Sequence, residues 1–313
     1  MPAPTVTVIV PGRDIAAFAP AALDSLRAQT LPSWRAILVD DGSADDTGRI
    51  FDAAASADER FTVVRHTESR GLGGARNAAL DLVDTPYLGF LDGDDELLPT
   101  ALQRLTGTLE ATGSDFAAGA YVRSRWDGKR YANGRVQPWV AAATDPERHA
   151  TTILDHPAAS ANIVAWSKVS RSDFWSRLRF PEGVAYEDQI VAQRMYTTAR
   201  AFDVIPDTVV RWRLRADGSS ITQGKDQLPV LRDYLAALRG GIAVLHEANA
   251  HAAVTARLEL ILAMDVPPLQ EIAGTHPDPA YQAAVTAFLE ELRSYPELTD
   301  ARPDPSLAAA LRW

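Results

Sequence analysis

Along the first third of the chain, short apolar runs rich in β-branched residues alternate with segments of helical period. The run Thr5–Val10 stops at Pro11-Gly12, a turn signal, and Trp34–Val39, Phe61–Arg65 and Tyr87–Leu91 repeat the pattern. Between them the spacing predicts helices. One runs to Ala28 behind an Asp14 cap, with Phe18, Leu23 and Leu26 on one face. A second is capped by Ser43 with Asp45 and Asp46 in its first turn; others run from Gly71 to about Val83 and from Pro99 to about Thr112. Strands alternating with helices predict βαβ units and a parallel sheet, with Tyr87–Leu91 as its buried central strand.

The rest is less regular. Asp115–Arg123 reads as a strand, Trp126–Lys129 as a hairpin turn on Asp-Gly, and Phe202–Arg215 as extended chain ended by Asp217–Ser220. A glycine-containing loop, Pro181–Gly183, leads to a helix opening at Tyr186–Gln189 and running to about Ala199. From about Gln227 the pattern is helical, interrupted by prolines at 267, 268, 277, 279, 303 and 305. The texture changes near residue 225, which predicts an α/β domain over 1–224 and a helical region over 225–313.

Composition narrows the classes. A chain of 313 residues with 46% hydrophobic residues can bury an ample core. Its net charge of −10 argues against nucleic-acid binding, which needs a basic face. With no cysteine there is no disulfide framework and no thiolate chemistry. The N-terminus lacks a basic n-region, and no apolar stretch approaches the roughly 20 residues of a membrane span. A cytoplasmic protein without a transmembrane segment is the expectation. The six histidines show no spacing typical of zinc, and neither a Gly-x-Ser-x-Gly elbow nor a Walker loop is present.

Five stretches could carry chemistry. Leu91-Asp92-Gly93-Asp94-Asp95 ends the central strand, where open α/β sheets bind ligands. If the chain stays extended through Gly93, Asp92 and Asp94 project to one side and suit a hard divalent cation; the other reading is an exposed Asp-Gly turn. Asp40-Asp41-Gly42-Ser43 offers either a carboxylate for an imide N–H or a helix cap. Gly71-Leu-Gly73-Gly74-Ala-Arg76 departs from the dinucleotide fingerprint at Arg76; it suits a phosphate approached by backbone N–H groups, or close packing. Glu187-Asp188 is a dipole-complementing cap, or supplies a general base if its loop folds over the strand ends. Arg211, Arg213 and Arg215 share one face of a strand, as an anion clamp or as charges guarding an edge.

Taken in order, these residues resemble the family 2 glycosyltransferases of the GT-A fold. The resemblance covers roughly residues 4–222. It lies in Val8–Pro11, Gln29-Thr30, Val39–Ser43, Gly71, Ala75–Asn77, Leu91–Asp95 and Glu187-Asp188. It implies a Rossmann-like α/β domain with a mostly parallel sheet, here followed by helices. Asp41 would hold the uracil of a UDP-sugar, Pro11 and Arg13 would line the base pocket, and Arg76 would lie near the nucleotide. Asp92 would touch ribose or a metal-bound water, Asp94 would ligate Mn²⁺ or Mg²⁺, and Asp188 would deprotonate the acceptor hydroxyl. Arg13 stands where the family commonly has an aromatic ring, and Ser69 where it commonly has asparagine. The segment 211–222 is similar to the family's arginine- and serine-containing loop, without a histidine to complete a metal shell.

The resemblance therefore implies an inverting, metal-dependent glycosyltransferase of cell-wall type, moving a hexosyl or N-acetylhexosaminyl group from a UDP-sugar. The acceptor would be a glycan, a polyol phosphate or a small molecule. Anionic units could be gripped by Arg211, Arg213 and Arg215 together with Arg171, Arg177 and Arg179. The alternatives are a nucleotide-sugar-binding assembly module without turnover, or a nucleotidyltransferase. A homodimer through Leu258, Leu260, Ile261 and Leu262, and peripheral attachment at the inner face of a membrane, are further expectations.

Overall fold

A computed structural model describes residues 5–215 and 224–299. The break expected at Asp217–Ser220 and the prolines at 303 and 305 lie outside the described residues. The strands are β1 (Val6–Gly12), β2 (Trp34–Asp41), β3 (Phe61–His66), β4 (Tyr87–Phe90), β5 (Glu96–Leu97), β6 (Phe116–Trp126), β7 (Tyr131–Val136), β8 (Arg148–Thr151), β9 (Lys168–Arg171) and β10 (Phe202–Leu214). The helices up to the sheet's last strand are α1 (Ala19–Arg27), α2 (Thr47–Ala57), α3 (Gly71–Leu80), α4 (Ala101–Thr112), α5 (Pro138–Thr144) and α6 (Asp188–Thr198). Then come α7 (Leu228–Glu247), α8 (His251–Leu260), α9 (Val266–Thr275), α10 (Pro279–Arg293) and α11 (Pro296–Thr299).

One sheet runs in the order β3-β2-β1-β4-β9-β6-β10-β5, with β7 added on β6 and β8 on β10. β1, β2, β3 and β4 are mutually parallel where they pair, and every residue of β1 and β4 is buried. β4 is central, as its unbroken apolar run requires. Its second neighbour, β9, is antiparallel, so the sheet is mixed at its middle rather than parallel throughout. β10 lies between β6 and β5, which removes the edge-strand reading of its arginines.

Two expected caps are corrected. Asp14 sits at φ 50 and does not start α1; its carboxylate accepts from the Ala44 N–H at 2.8 Å. Ser43 does not cap α2 either, since its hydroxyl accepts from the Asp14 N–H, and Asp45 instead accepts from the Thr47 N–H at 2.9 Å. The two loops thus cap each other, a pairing between chain segments that local propensity cannot register.

The C-terminal helices pack on the α/β layer through α6. Gly240 leaves room for Ile190, where a Cβ would come within 2.5 Å of its Cδ1, and buried Arg257 on α8 bonds Gln189 on α6 at 2.9 Å. Pro267 and Pro268 lie in the first turn of α9, reached from α8 through a π-turn over Ile261–Asp265; the prolines begin a helix instead of ending one. Leu258, Ile261 and Leu262 are fully buried in this chain's own core. They are therefore not an apolar face open to a second copy.

Candidate active site

The parallel strands β1, β2 and β4 end on one rim, carrying Pro11–Arg13, Asp40-Asp41 and Asp92–Asp95. Pairing with β1 continues past β4, through Leu91 N–H to the Ile9 carbonyl and Gly93 N–H to the Pro11 carbonyl, both 3.0 Å. Gly93 permits this approach: a Cβ there would stand 2.4 Å from Ile15 Cδ1 and 3.0 Å from the Pro11 oxygen. The Asp95 N–H then bonds the Asp92 carbonyl at 2.8 Å and closes a turn. The chain does not stay extended through Asp94, so Asp92 and Asp94 meet different arginines.

Asp92 meets Arg76. The glycine-rich entrance to α3 serves close packing: at Gly73 a Cβ would fall 2.0 Å from the Pro181 carbonyl oxygen, and Gly71 adopts φ +75. Asn77 adds bonds to the Phe180 carbonyl and N–H and to Glu182, tying the 180–183 loop onto α3. That loop delivers Glu187-Asp188 to the rim. The fully buried Arg76 guanidinium donates from Nη2 to Asp92 at 2.6 Å, and from Nη1 to Asp188 at 2.6 Å and Glu187 at 2.5 Å. It also lies over the Phe180 ring, 5.0 Å from the centroid. Both of its terminal nitrogens serve carboxylates, so Arg76 organises the acidic side chains of the rim.

Asp188 has a second anchor, the Ala165 N–H donating to Oδ2 at 3.1 Å. The segment carrying that N–H is tied down by Lys168, whose buried ammonium donates to the Asn162 and Val164 carbonyls, each at 2.7 Å, and to the Asn162 side chain at 3.2 Å. Burial pushes Lys168 down to about 7, opposed by nearby Asp188. Neither Lys168 nor this anchoring carries a sequence signature, because both depend on a loop crossing beneath α6.

Asp94 accepts from Arg215 Nε at 2.9 Å. Arg213 donates its backbone N–H to buried Asp95 at 2.8 Å and its Nε to the Asp94 carbonyl at 2.5 Å, and Arg211 pairs with Glu96 at 3.2 Å. The arginine face of β10 is turned onto the protein's own acidic stretch. Arg171 is spatially separate: it pairs with Tyr87, at the opposite end of β4 from the acidic turn, and donates to the Ser114 and Leu109 carbonyls. Arg179 pairs with Asp81. These two are committed to structural contacts instead of converging on the rim.

Asp41 is the best-bonded carboxylate of the rim. It accepts from the Ser69 hydroxyl at 2.6 Å and the Arg70 N–H at 2.9 Å, and shares a 2.7 Å bond with His66 Nδ1. Burial raises its pKa, but these hydrogen bonds outweigh it and hold the group below its ordinary value. An open depression of about 290 Å³ lies beside it, lined by residues 65–70. Pro11 is buried in the floor of the rim, and Arg13 is exposed, 3.7 Å from Asp14. His66 and Asp95 have no counterpart among the expected site residues; a histidine ending one strand and a third aspartate in an acidic run give no distinct signal.

The donor set fits a divalent cation. Burial, with Asp188 and Asp94 nearby, pushes Asp92 up to about 6 against the pull of Arg76. Burial next to Asp94 and Asp92 raises Asp95 as well, and burial next to Asp188 raises Glu187. Burial thus disfavours the bare charge on these carboxyl groups, a cost that a bound cation would offset. Among the described residues no hydrogen bond uses Asp92 Oδ2 or Asp94 Oδ1. Two such oxygens suit an ion that completes its shell with diphosphate and water.

Comparison with known proteins bears on this arrangement. The family model of glycosyl transferase family 2 matches residues 7–183. The chain is similar to the uncharacterised glycosyltransferase EpsJ of Bacillus subtilis, 32% identical over 191 residues, which is 59% of this chain and 54% of EpsJ. The match thus spans about half the length of that relative. In structure it resembles S. aureus TarS 1–349 in complex with UDP-GlcNAc, with a TM-score of 0.75 at 18% identity over 92% of this chain and 80% of that one. It also resembles the mannosyltransferase PcManGT of Pyrobaculum calidifontis in complex with GDP-Man and Mn²⁺, with a TM-score of 0.58 at 20% identity over 98% and 86% of the two chains. At such identities the likeness speaks for a shared GT-A fold.

Proposed function

Because the chain belongs to glycosyltransferase family 2, we propose that it transfers a sugar from a UDP-sugar to an acceptor hydroxyl, with inversion, at the rim formed by Asp41, Asp92, Asp94 and Asp188. The observation that carries this reading is the meeting of Asp92 and Asp188 on the Arg76 guanidinium. It puts the metal-side carboxylate and the base candidate within one buried network. Residues 1–224 form the catalytic unit in this proposal, and the helices that follow, α7 onward, brace α6, on which Asp188 sits.

Asp92 and Asp94 would hold Mn²⁺ or Mg²⁺. When bound, the ion supplies charge stabilisation to the departing diphosphate. Asp41, already fixed by Ser69, His66 and the Arg70 N–H, is oriented beside the polar depression as an acceptor for the uracil N3–H. Arg13 is exposed above it and can lie flat on the base. Asp188, held at both oxygens, takes the acceptor hydroxyl's proton as the bond to the anomeric carbon forms. A single base opposite the leaving group implies in-line displacement and inversion; no nucleophilic carboxylate is needed. The complex of TarS with UDP-GlcNAc supports a UDP-sugar donor, and that of PcManGT with Mn²⁺ supports a divalent metal. Arg171 and Arg179 are committed elsewhere, so the acceptor hydroxyl, on a glycan, a polyol phosphate or a small molecule, is proposed without these two as a clamp.

Calorimetric titration of UDP, GDP and a panel of UDP-sugars, with Mn²⁺ and with EDTA, tests the donor site. Metal-dependent UDP binding that disappears in Asp94→Ala is the expected result. Preference for GDP would overturn the UDP assignment, and no nucleotide binding by the folded protein would overturn the whole reading.

A further inference from the structure

We propose a second metal site, for Zn²⁺, at the corner where α7, α8 and α11 meet, built from His246, His251 and Glu297. His246 lies in the last turn of α7 and His251 opens α8, with Glu247–Ala250 between them. The bend is made by Asn249 in a left-handed conformation at φ 56. It brings the two rings to 5.9 Å between centroids. Glu297, 46 residues further on, enters from the first turn of α11. One potential ligand atom from each residue lies within 4.8 Å of the other two.

The distances suit coordination. His251 Nδ1 stands 3.1 Å from Glu297 Oε1, and His246 Nε2 stands 3.7 Å from Oε2. Ligand atoms about 2.1 Å from a tetrahedral zinc ion are about 3.4 Å apart, and with one atom from each residue already within 4.8 Å of the other two, small side-chain rotations reach that spacing. Nitrogen and oxygen donors in the combination of two histidines and a carboxylate are a set that zinc accepts, and the sequence lacks cysteine to compete with it.

An independent observation points to a missing partner. The Glu297 side chain is 9% exposed, and its Oε2 is shielded from solvent without a hydrogen bond. A buried carboxylate oxygen left in that condition costs free energy unless a cation meets it. The His246 ring is already held by stacking on Tyr295, at 5.6 Å and 16°, so the donor is preorganised. The His251 side chain is 65% exposed, which leaves the outer side open to a water as fourth ligand. Zinc would pin the short α11 to the α7–α8 bend. The two histidines match a His-x₃₋₅-His pair after all; what the sequence could not supply is the bend that aims them at one point or the distant glutamate.

The test uses the untagged full-length chain, stripped with EDTA and titrated with ZnCl₂ alone by calorimetry, alongside Co²⁺ as a spectroscopic probe. One equivalent of Zn²⁺ should bind, with a rise in Tm and visible Co²⁺ bands of four-coordinate intensity. His251→Ala, at an exposed position, and the isosteric Glu297→Gln should each weaken binding at least tenfold and abolish the Tm shift, while Asp94→Ala retains both. Absence of binding by wild type, or binding unaffected by His251→Ala in a chain with native circular dichroism, would overturn the site. So would binding that depends on Asp94 instead. The acidic rim is tested separately by nucleotide, so the two proposals stand or fall independently.

Discussion

Arg76 and Asp188 lie 112 residues apart in the chain and 2.6 Å apart in the fold. The guanidinium is buried completely, and the same group holds Asp92 and Glu187. One cation therefore joins the end of β4, the middle of α3 and the start of α6.

Removing that cation leaves three clustered carboxylates without compensation. Arg76→Met should lower stability by about 3–5 kcal/mol at neutral pH. The deficit should shrink as pH falls towards 5, because protonation relieves each buried carboxylate of its uncompensated charge. Urea titrations at the two pH values check this. Arg76→Lys should be intermediate, since one ammonium cannot span three partners that the planar fork reaches.

Asp188→Asn keeps the shape and removes the base. Its turnover should fall about 10²–10⁴-fold, with UDP-sugar affinity little changed. Single-turnover kinetics and calorimetry on the same preparation separate the two effects. Undiminished sugar transfer would exclude Asp188 as the base. A wild type that binds UDP-sugar yet transfers nothing to any hydroxyl would favour a binding module.

The entrance of α3 is tested by one glycine substitution, set against another in α4 whose expected effect has the opposite sign. Gly73→Ala forces a Cβ to within 2.0 Å of the Pro181 carbonyl, so the loop that delivers Asp188 must move. A loss of about 1–3 kcal/mol is expected, accompanied by loss of turnover. At Gly107, in the middle of α4, an added methyl group would meet nothing within 4 Å, and Gly107→Ala should stabilise by about 0.5–1 kcal/mol. Thermal melts of both variants give the comparison.

His156 supplies a pH dependence away from the site. It is 5% exposed, its Nε2 bonds the Ala143 carbonyl at 3.0 Å, and burial lowers its pKa below the usual 6.5, with Arg148 adding to the shift. The unfolded chain therefore takes up this proton first on acidification. Stability should fall as pH drops from about 6.5 to the folded value, with a slope of at most about 1.4 kcal/mol per unit, and then level off. His156→Gln should remove this part of the slope, measured by urea denaturation between pH 7.5 and 5.

Much of the architecture is legible in the chain. The runs at 6–10, 34–39, 61–65 and 87–91 announce themselves by apolar pattern, and the Asp127-Gly128 hairpin by turn chemistry, because these signals depend on near neighbours. Asp41, Asp92, Asp94 and Asp188 stand out in short motifs; parallel strands bring the first three to the same end of the sheet, and the start of α6 brings Asp188 there. The caps expected at Asp14 and Ser43 fail because each residue is satisfied by the other's loop. The arginines of β10 suggest an outward-facing clamp or a guarded edge, since nothing local shows that strand β5 and the acidic turn lie against them.

The order of strands and helices, and the acidic and glycine-rich positions where strands end, follow from the chain's own pattern. Hydrophobic periodicity and backbone sterics act over a few residues, so one chain segment suffices to express them. Which charges meet is a matter of the folded state: Arg76 with Asp92, Glu187 and Asp188, Arg215 with Asp94, and Glu297 with two histidines. A charged side chain's partner is chosen by distance and burial in three dimensions, and neither is encoded within reach of the residue itself.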